Sequence, residues 1–205
     1  MTSLRHDWDA TTYDRVSAPQ VRWGGPVAAR LPLAGDEVVL DAGCGTGRVT
    51  EAPLKAPDEN GRGGPKPPRR PRGKAGLPGR RPSPAPPGGR LEAQCGGRGN
   101  IASVVRALER VAPGEAYPYT FATADETAGR LEAAGFTEVE TWLAEERTPF
   151  PDRAELESFL ATVVLWPQLE VRDPAEHAAF VARVADELPA TELDYVRLNL
   201  RAKRR

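Results

Sequence analysis

The chain has 205 residues, enough for one domain with a sizeable core. Its formal net charge of −1 gives no global electrostatic reason to expect nucleic acid or an anionic membrane surface as partner. The two cysteines, Cys44 and Cys95, form no CxxC or Cys/His cluster, which argues against a structural metal site and a disulfide scaffold. No apolar stretch of about 18 residues marks a membrane span or leader. A single cytoplasmic, monomeric domain over residues 1–205 is the expectation, with no metal, nucleic-acid or membrane partner.

Taken in chain order, Trp8, Tyr13, Val16, Val21, Trp23 and Val27 stand at mixed spacing and predict one or two short helices over residues 3–30. A turn at Gly35 and Asp36 leads into the apolar run Glu37 to Asp41, short enough for a strand buried on both faces of a parallel sheet. Gly43, Gly45 and Gly47 follow, and then a helix start at Arg48. Pro53 falls inside that helix, where it removes a backbone donor and costs roughly 3 kcal/mol.

From Pro53 to Gly89 the composition changes. These 37 residues hold 11 Pro, 8 Gly, nine Lys or Arg and two Asp or Glu, and no Val, Ile, Phe, Tyr, Trp or Met. The window therefore carries +7 (nine minus two) and the remainder −8. So little apolar surface cannot offset the entropy of ordering, and residues 53–86 are predicted to be a disordered, basic low-complexity segment.

Regular patterning returns at Pro87. A turn and strand are predicted through Cys95, then a helix capped by Asn100 and running to about Val111, with Ile101, Val104, Val105, Leu108 and Val111 on one face. Thr123 and Glu126 form a capping box for a helix ending at Gly135. Phe136 to Thr148 reads as a strand. Asp152 with Glu155 starts a helix ending near Val164, and Pro174 opens another that ends near Leu188 and carries a solvated His177. Tyr195 to Lys203 alternates as a half-buried strand should, while Glu145 to Arg147 and the basic C-terminus read as solvated surface.

The glycine spacing narrows the chemistry. G-x-G-x-x-G is not satisfied, because Arg48 follows Gly47, and no G-x-x-x-x-G-K-[ST] occurs. What stands here is an acid, Asp41, and then Gly43, Gly45 and Gly47. In that form VVLDAGCGTGRVT (Val38 to Thr50) resembles the cofactor loop of the class I S-adenosylmethionine-dependent methyltransferases. Within that group the chain is most similar to the branch related to trans-aconitate methyltransferase. WDATTYDRVSAPQVRWG (Trp8 to Gly24) resembles that branch's N-terminal helix, and PGGRLEAQCGG (Pro87 to Gly97) its fifth strand. LEAAGFTEVET (Leu131 to Thr141) resembles the following helix and strand, and DYVRLNLRAK (Asp194 to Lys203) the last strand.

The resemblance implies an α/β, Rossmann-like fold: a parallel sheet with an antiparallel last strand, its central strands missing or replaced by the Pro/Gly/Arg tract. It implies S-adenosyl-L-methionine as cofactor. Asp41 would orient the loop, Gly43, Gly45 and Gly47 would pass beneath the methionine part, and Cys44 and Thr46 would supply backbone to the same turn. Trp8, Tyr13, Gln20 and Trp23 resemble lid positions over the cofactor, although both tryptophans also fit simple core packing. The chemistry implied is in-line displacement at the sulfonium methyl by a small-molecule acceptor such as a carboxylate. That step needs alignment and desolvation and no general base, so no catalytic residue is assigned.

One half of the site is missing from the sequence. The family's second strand ends in an acid about 20 residues past the loop, holding the ribose hydroxyls by the same logic as in dinucleotide sites. Here Asn60 to Leu91 contains no Asp or Glu. The alternative is therefore an inactive remnant or a non-catalytic binding protein. The tract itself has three readings. A shifted and shortened reading frame in a GC-rich gene would give its Pro, Arg, Gly and Ala. Residues 65–70, PKPPRR, fit a PxxPxR ligand for polyproline grooves. A basic arm for nucleic acid would need stacking aromatics, which the tract lacks.

Overall fold

A computed structural model describes residues 18–31, 39 and 87–205. The described elements run in the order α1 (Ala18–Ala28), β1 (Arg90–Gly96), α2 (Ala102–Val111), α3 (Ala124–Ala133), β2 (Phe136–Pro149), α4 (Arg153–Phe159), a π turn (Leu160–Val164), α5 (Trp166–Leu169), a 3-10 turn (Pro174–Glu176), α6 (His177–Asp186) and β3 (Glu192–Arg204). The expected strand at Glu37 to Asp41, the helix start at Arg48 and the segment 53–86 lie outside the described residues.

The expected Rossmann-like parallel sheet is not what forms. The described strands make a three-stranded antiparallel sheet in the order β1-β3-β2, and no parallel pair occurs among them. The reason lies in β3. It occupies the position between β1 and β2, so the crossover from β1 through α2 and α3 does not bring those two strands into direct pairing. Each bonds only to β3, which runs against both. Gly88 N–H donates to Arg204 O (2.9 Å) and Gly97 N–H to Val196 O (2.9 Å) on one side. Phe150 N–H donates to Thr191 O (2.8 Å) and Arg205 N–H to Gly135 O (3.3 Å) on the other. The predicted alternation gives way in β3 to three consecutive buried residues, Leu198, Asn199 and Leu200, so both faces of the strand are covered there.

Two compact units divide the chain. One takes in Cys95–Glu126 and Trp142–Leu198. Its buried residues are mostly apolar: Val104 and Leu108 from α2, Phe159 and Leu160 at the end of α4, Phe180 and Val184 from α6, with Leu193 and Leu198 from β3, each at most 1 % exposed, while Asn100, Ser103, Thr148 and Gln168 are buried as well. Burial of such a side chain contributes about 1.5–3 kcal/mol. Phe159 fixes the centre, its ring 5.0 Å from Phe150 and 6.4 Å edge-on from Tyr195. The single helix predicted over Asp152 to Val164 begins as expected, with Asp152 accepting from Glu155 N–H at 2.8 Å, but widens into a π turn at Leu160. Pro167 explains the change: without an N–H it fits only the first turn of a new helix, α5. Leu165 N–H then reaches back to Leu160 O at 2.7 Å, a five-residue span.

The start of α2 is not capped as its sequence suggests. Ile101, not Asn100, takes the cap position, in the left-handed region at φ 48°, and offers no side-chain cap. Asn100 Oδ1 instead accepts from Val196 N–H (3.0 Å). The orphan helix donor is met by Asp194: Ser103 N–H donates to its carboxylate at 3.0 Å, and Ser103 Oγ–H at 2.5 Å. The α3 start follows local rules, Thr123 N–H donating to Glu126 (2.8 Å) and Glu126 N–H to Thr123 Oγ1 (3.1 Å). His177 is half-buried, not solvated, with Nε2 3.3 Å from Arg172 O.

The other unit takes in Gln20–Gln94, Thr127–Thr141 and Asn199–Arg205. In it Trp23 of α1 is 5 % exposed. Gly135 ends α3 at φ +86°, as a C′ glycine should. Leu200 and Ala202 are buried too, and a polar network adjoins them. Arg30 donates from Nε to Glu92 Oε2 (2.9 Å) and from Nη1 to Asn199 Oδ1 (3.2 Å), and Gln94 Nε2 donates to the same Asn199 oxygen (2.9 Å). Arg201 lies 3.6 Å from both Glu92 and Glu140. Glu92 and Gln94 stand two apart on β1, Asn199 and Arg201 two apart on β3, so each pair shares one side of its strand.

Candidate functional site

Among the described residues, a candidate site sits where β1 ends. There the chain turns through Gly97 to Asn100 before entering α2. Arg98 N–H donates to Ala122 O and Asn100 N–H to Gly97 O, both at 2.9 Å, and Ile101 N–H to Asp194 O at 2.9 Å. The turn depends on glycine twice. Gly99 has φ +87°. At Gly97 a Cβ would stand 2.4 Å from Leu143 Cδ2 and 2.9 Å from Leu198 Cβ. The Leu143 tip could swing away, but Leu198 is fixed in β3.

Beside this turn lies an open cleft of about 480 Å³, within the range of small-molecule sites. β2 contributes Leu143, Glu145 and Arg147, which alternate with inward residues, and β3 contributes Asp194 and Val196. Arg98 completes the rim. The charges are not equivalent. Arg147 Nη1 donates to Glu192 Oε1 at 2.5 Å, and that bond, with the added fields of Glu192, Glu145 and Asp194, pushes its guanidinium pKa above the usual arginine value. Asp194 is committed to Ser103. Among the described residues Arg98 pairs with Glu126 Oε1, at 3.9 Å, beyond hydrogen-bond distance.

The cleft can bind and orient a ligand; Ser, His and Cys are absent from its lining, whose titratable groups are Glu145, Asp194 and Tyr195 with Arg98 and Arg147. Cys95, at the end of β1, is a free thiol whose pKa burial pushes up, with Arg197 opposing, so at neutral pH it stays protonated. Burial in turn holds the Arg197 guanidinium below its ordinary value, against the fields of Tyr195, Cys95 and Glu146. No group of three His, Cys, Asp or Glu among the described residues could hold a metal ion. A smaller cavity of about 290 Å³ lies beside α6, where Arg172 stacks 3.7 Å from the Phe180 ring. Arg172 is itself paired with Glu115.

Of the site residues expected from sequence, Tyr13, Asp41, Gly43, Cys44, Gly45, Thr46 and Gly47 lie outside the described residues, and Gln20 belongs to the first turn of α1. Sequence reasoning missed Arg98, Asp194 and the cleft role of Glu145 and Arg147, which read only as solvated surface. The available signal was the two-residue step from Leu143 through Glu145 to Arg147 on one strand. No protein-family model matches the chain, and no curated protein matches it. No helix among the described residues is long and apolar enough to cross a membrane.

Proposed function

We propose that the chain binds S-adenosyl-L-methionine through Asp41, Gly43, Cys44, Gly45, Thr46 and Gly47 and transfers its methyl group to a small-molecule acceptor such as a carboxylate. One observation carries the reading: an apolar run ending in Asp41 leads directly into three glycines at two-residue spacing, ahead of a helix start expected from the sequence. Glycines there let backbone N–H groups approach a ligand closely. The ordered segments at Trp8 to Gly24, Pro87 to Gly97, Leu131 to Thr141 and Asp194 to Lys203 support the same family resemblance. Tyr13 and Gln20 would cover the bound cofactor.

Calorimetry on the full chain tests this. Saturable heat with S-adenosylmethionine or its demethylated product is expected, and its loss in Gly45→Val. No heat at millimolar ligand sinks the proposal. A second reading is favoured by the absence of any acid from Asn60 to Leu91: a binding protein or inactive remnant without the ribose anchor. Two lost hydrogen bonds to a charged acceptor, at about 1.5–3 kcal/mol each, would weaken cofactor binding by orders of magnitude. Turnover by the purified chain would remove that reading.

A further inference from the structure

We propose that the cleft beside the β1–α2 turn is a site for a small zwitterion of the free α-amino-acid type, with an aliphatic side chain. The inference follows from which charges in the cleft are already used. Arg147 is bonded to Glu192, and Asp194 caps α2 through Ser103. Two groups remain. Arg98 presents a guanidinium whose ion-pair partner among the described residues, Glu126, stands 3.9 Å away, too far for a hydrogen bond. Glu145 is exposed, lines the same cleft, and acts on Arg147 only through space. A cation held only by a long ion pair and an anion with no hydrogen bond among the described residues favour a ligand that is neutral overall and dipolar. A carboxylate meets the fork of Arg98, two N–H groups to two oxygens, and an ammonium meets Glu145.

The apolar part of the cleft sets the rest of the ligand. Leu143 is 40 % exposed, a large aliphatic left open beside Val196. A branched aliphatic side chain covers that surface, and a volume of about 480 Å³ accommodates it. The turn is preorganised for binding, because Arg98 is anchored by its own N–H to Ala122 O, between Gly97 and Gly99. The site stands independently of the Asp41–Gly47 loop.

Calorimetry on the full chain with L-leucine, L-leucine methyl ester (ammonium only) and isocaproate (carboxylate only) tests the proposal. L-leucine should bind saturably, and each one-ended analogue about tenfold or more weakly, the loss of one charge-assisted contact. Arg98→Gln should weaken L-leucine and isocaproate about tenfold and leave the ester unchanged. Glu145→Gln should weaken L-leucine and the ester and leave isocaproate unchanged. Both side chains are exposed, so neither variant endangers folding. Absence of saturable L-leucine binding overturns the proposal. So do equal affinities across the three ligands, or variants that do not separate the two ends.

Discussion

The two units bury their interiors by different chemistry. In one, Phe159, Phe180, Leu108 and Leu160 are each at most 1 % exposed and lead a mostly apolar set of buried residues. In the other, the covered positions hold Arg30, Glu92, Gln94 and Asn199, bonded across 62, 105 and 169 positions of sequence. An apolar core tolerates any side chain of suitable volume on the right face, so helical periodicity alone points to it. A polar interior works only when each group meets its particular partner, and failing that it is costly.

Two substitutions of large effect probe that contrast. Phe159→Ala should cost about 3–5 kcal/mol by urea unfolding, through lost contacts and the cavity left behind. A cost below about 1 kcal/mol would show that the ring is not the centre of its core. Glu92→Gln should cost about 3 kcal/mol, since it leaves the Arg30 guanidinium buried without its counter-charge, the two side chains being 8 % and 19 % exposed. Replacing both partners, Arg30→Met with Glu92→Leu, should recover most of that loss. If the pair replacement is as damaging as Glu92→Gln, the second interior does not rest on this ion pair.

The contrast recurs on a smaller scale at the helix starts. Asp194→Ala should cost about 1–2 kcal/mol, because it uncaps α2 and frees the Ser103 hydroxyl. Thr123→Ala should cost about 1 kcal/mol or less, as its capping box is exposed to water. Equal losses would mean that the longer-range cap gives no advantage over the local one.

What could be read in advance follows the same division. The α3 capping box, the Gly135 stop, the Asp152 cap and the strand from Phe136 to about Thr148 are local, and each was legible. The Asp194 cap joins residues 91 apart, and no window of sequence contains both. The parallel sheet was misjudged because strand order is a long-range property: nothing within Tyr195 to Lys203 says that the last strand lies between the other two. Of the candidate site, Glu145 and Arg147 lie in the predicted strand but read only as solvated surface. Arg98 became visible only once the turn at Gly97 to Asn100 had a known partner in β3.

The smallest effect at neutral pH concerns Tyr117. Its ring stands 5.5 Å from Tyr119 and 6.0 Å from Phe121, and its hydroxyl lies 3.4 Å from Val164 O. Burial, with a lesser contribution from the Tyr119 phenolate, pushes its pKa up from 10.0 to about 12. The phenol thus holds its proton more tightly folded than unfolded. The stability linked to it is whole below pH 10 and is lost as pH rises toward about 12. At neutral pH it contributes no slope. Tyr117→Phe removes the titrating group, so the urea midpoint of that variant should fall less steeply between about pH 10 and 12 than that of the parent chain. Ultraviolet difference titration should show one tyrosine fewer ionising near pH 12. Parallel alkaline slopes in the two proteins would mean that Tyr117 is not shielded from water in its aromatic cluster.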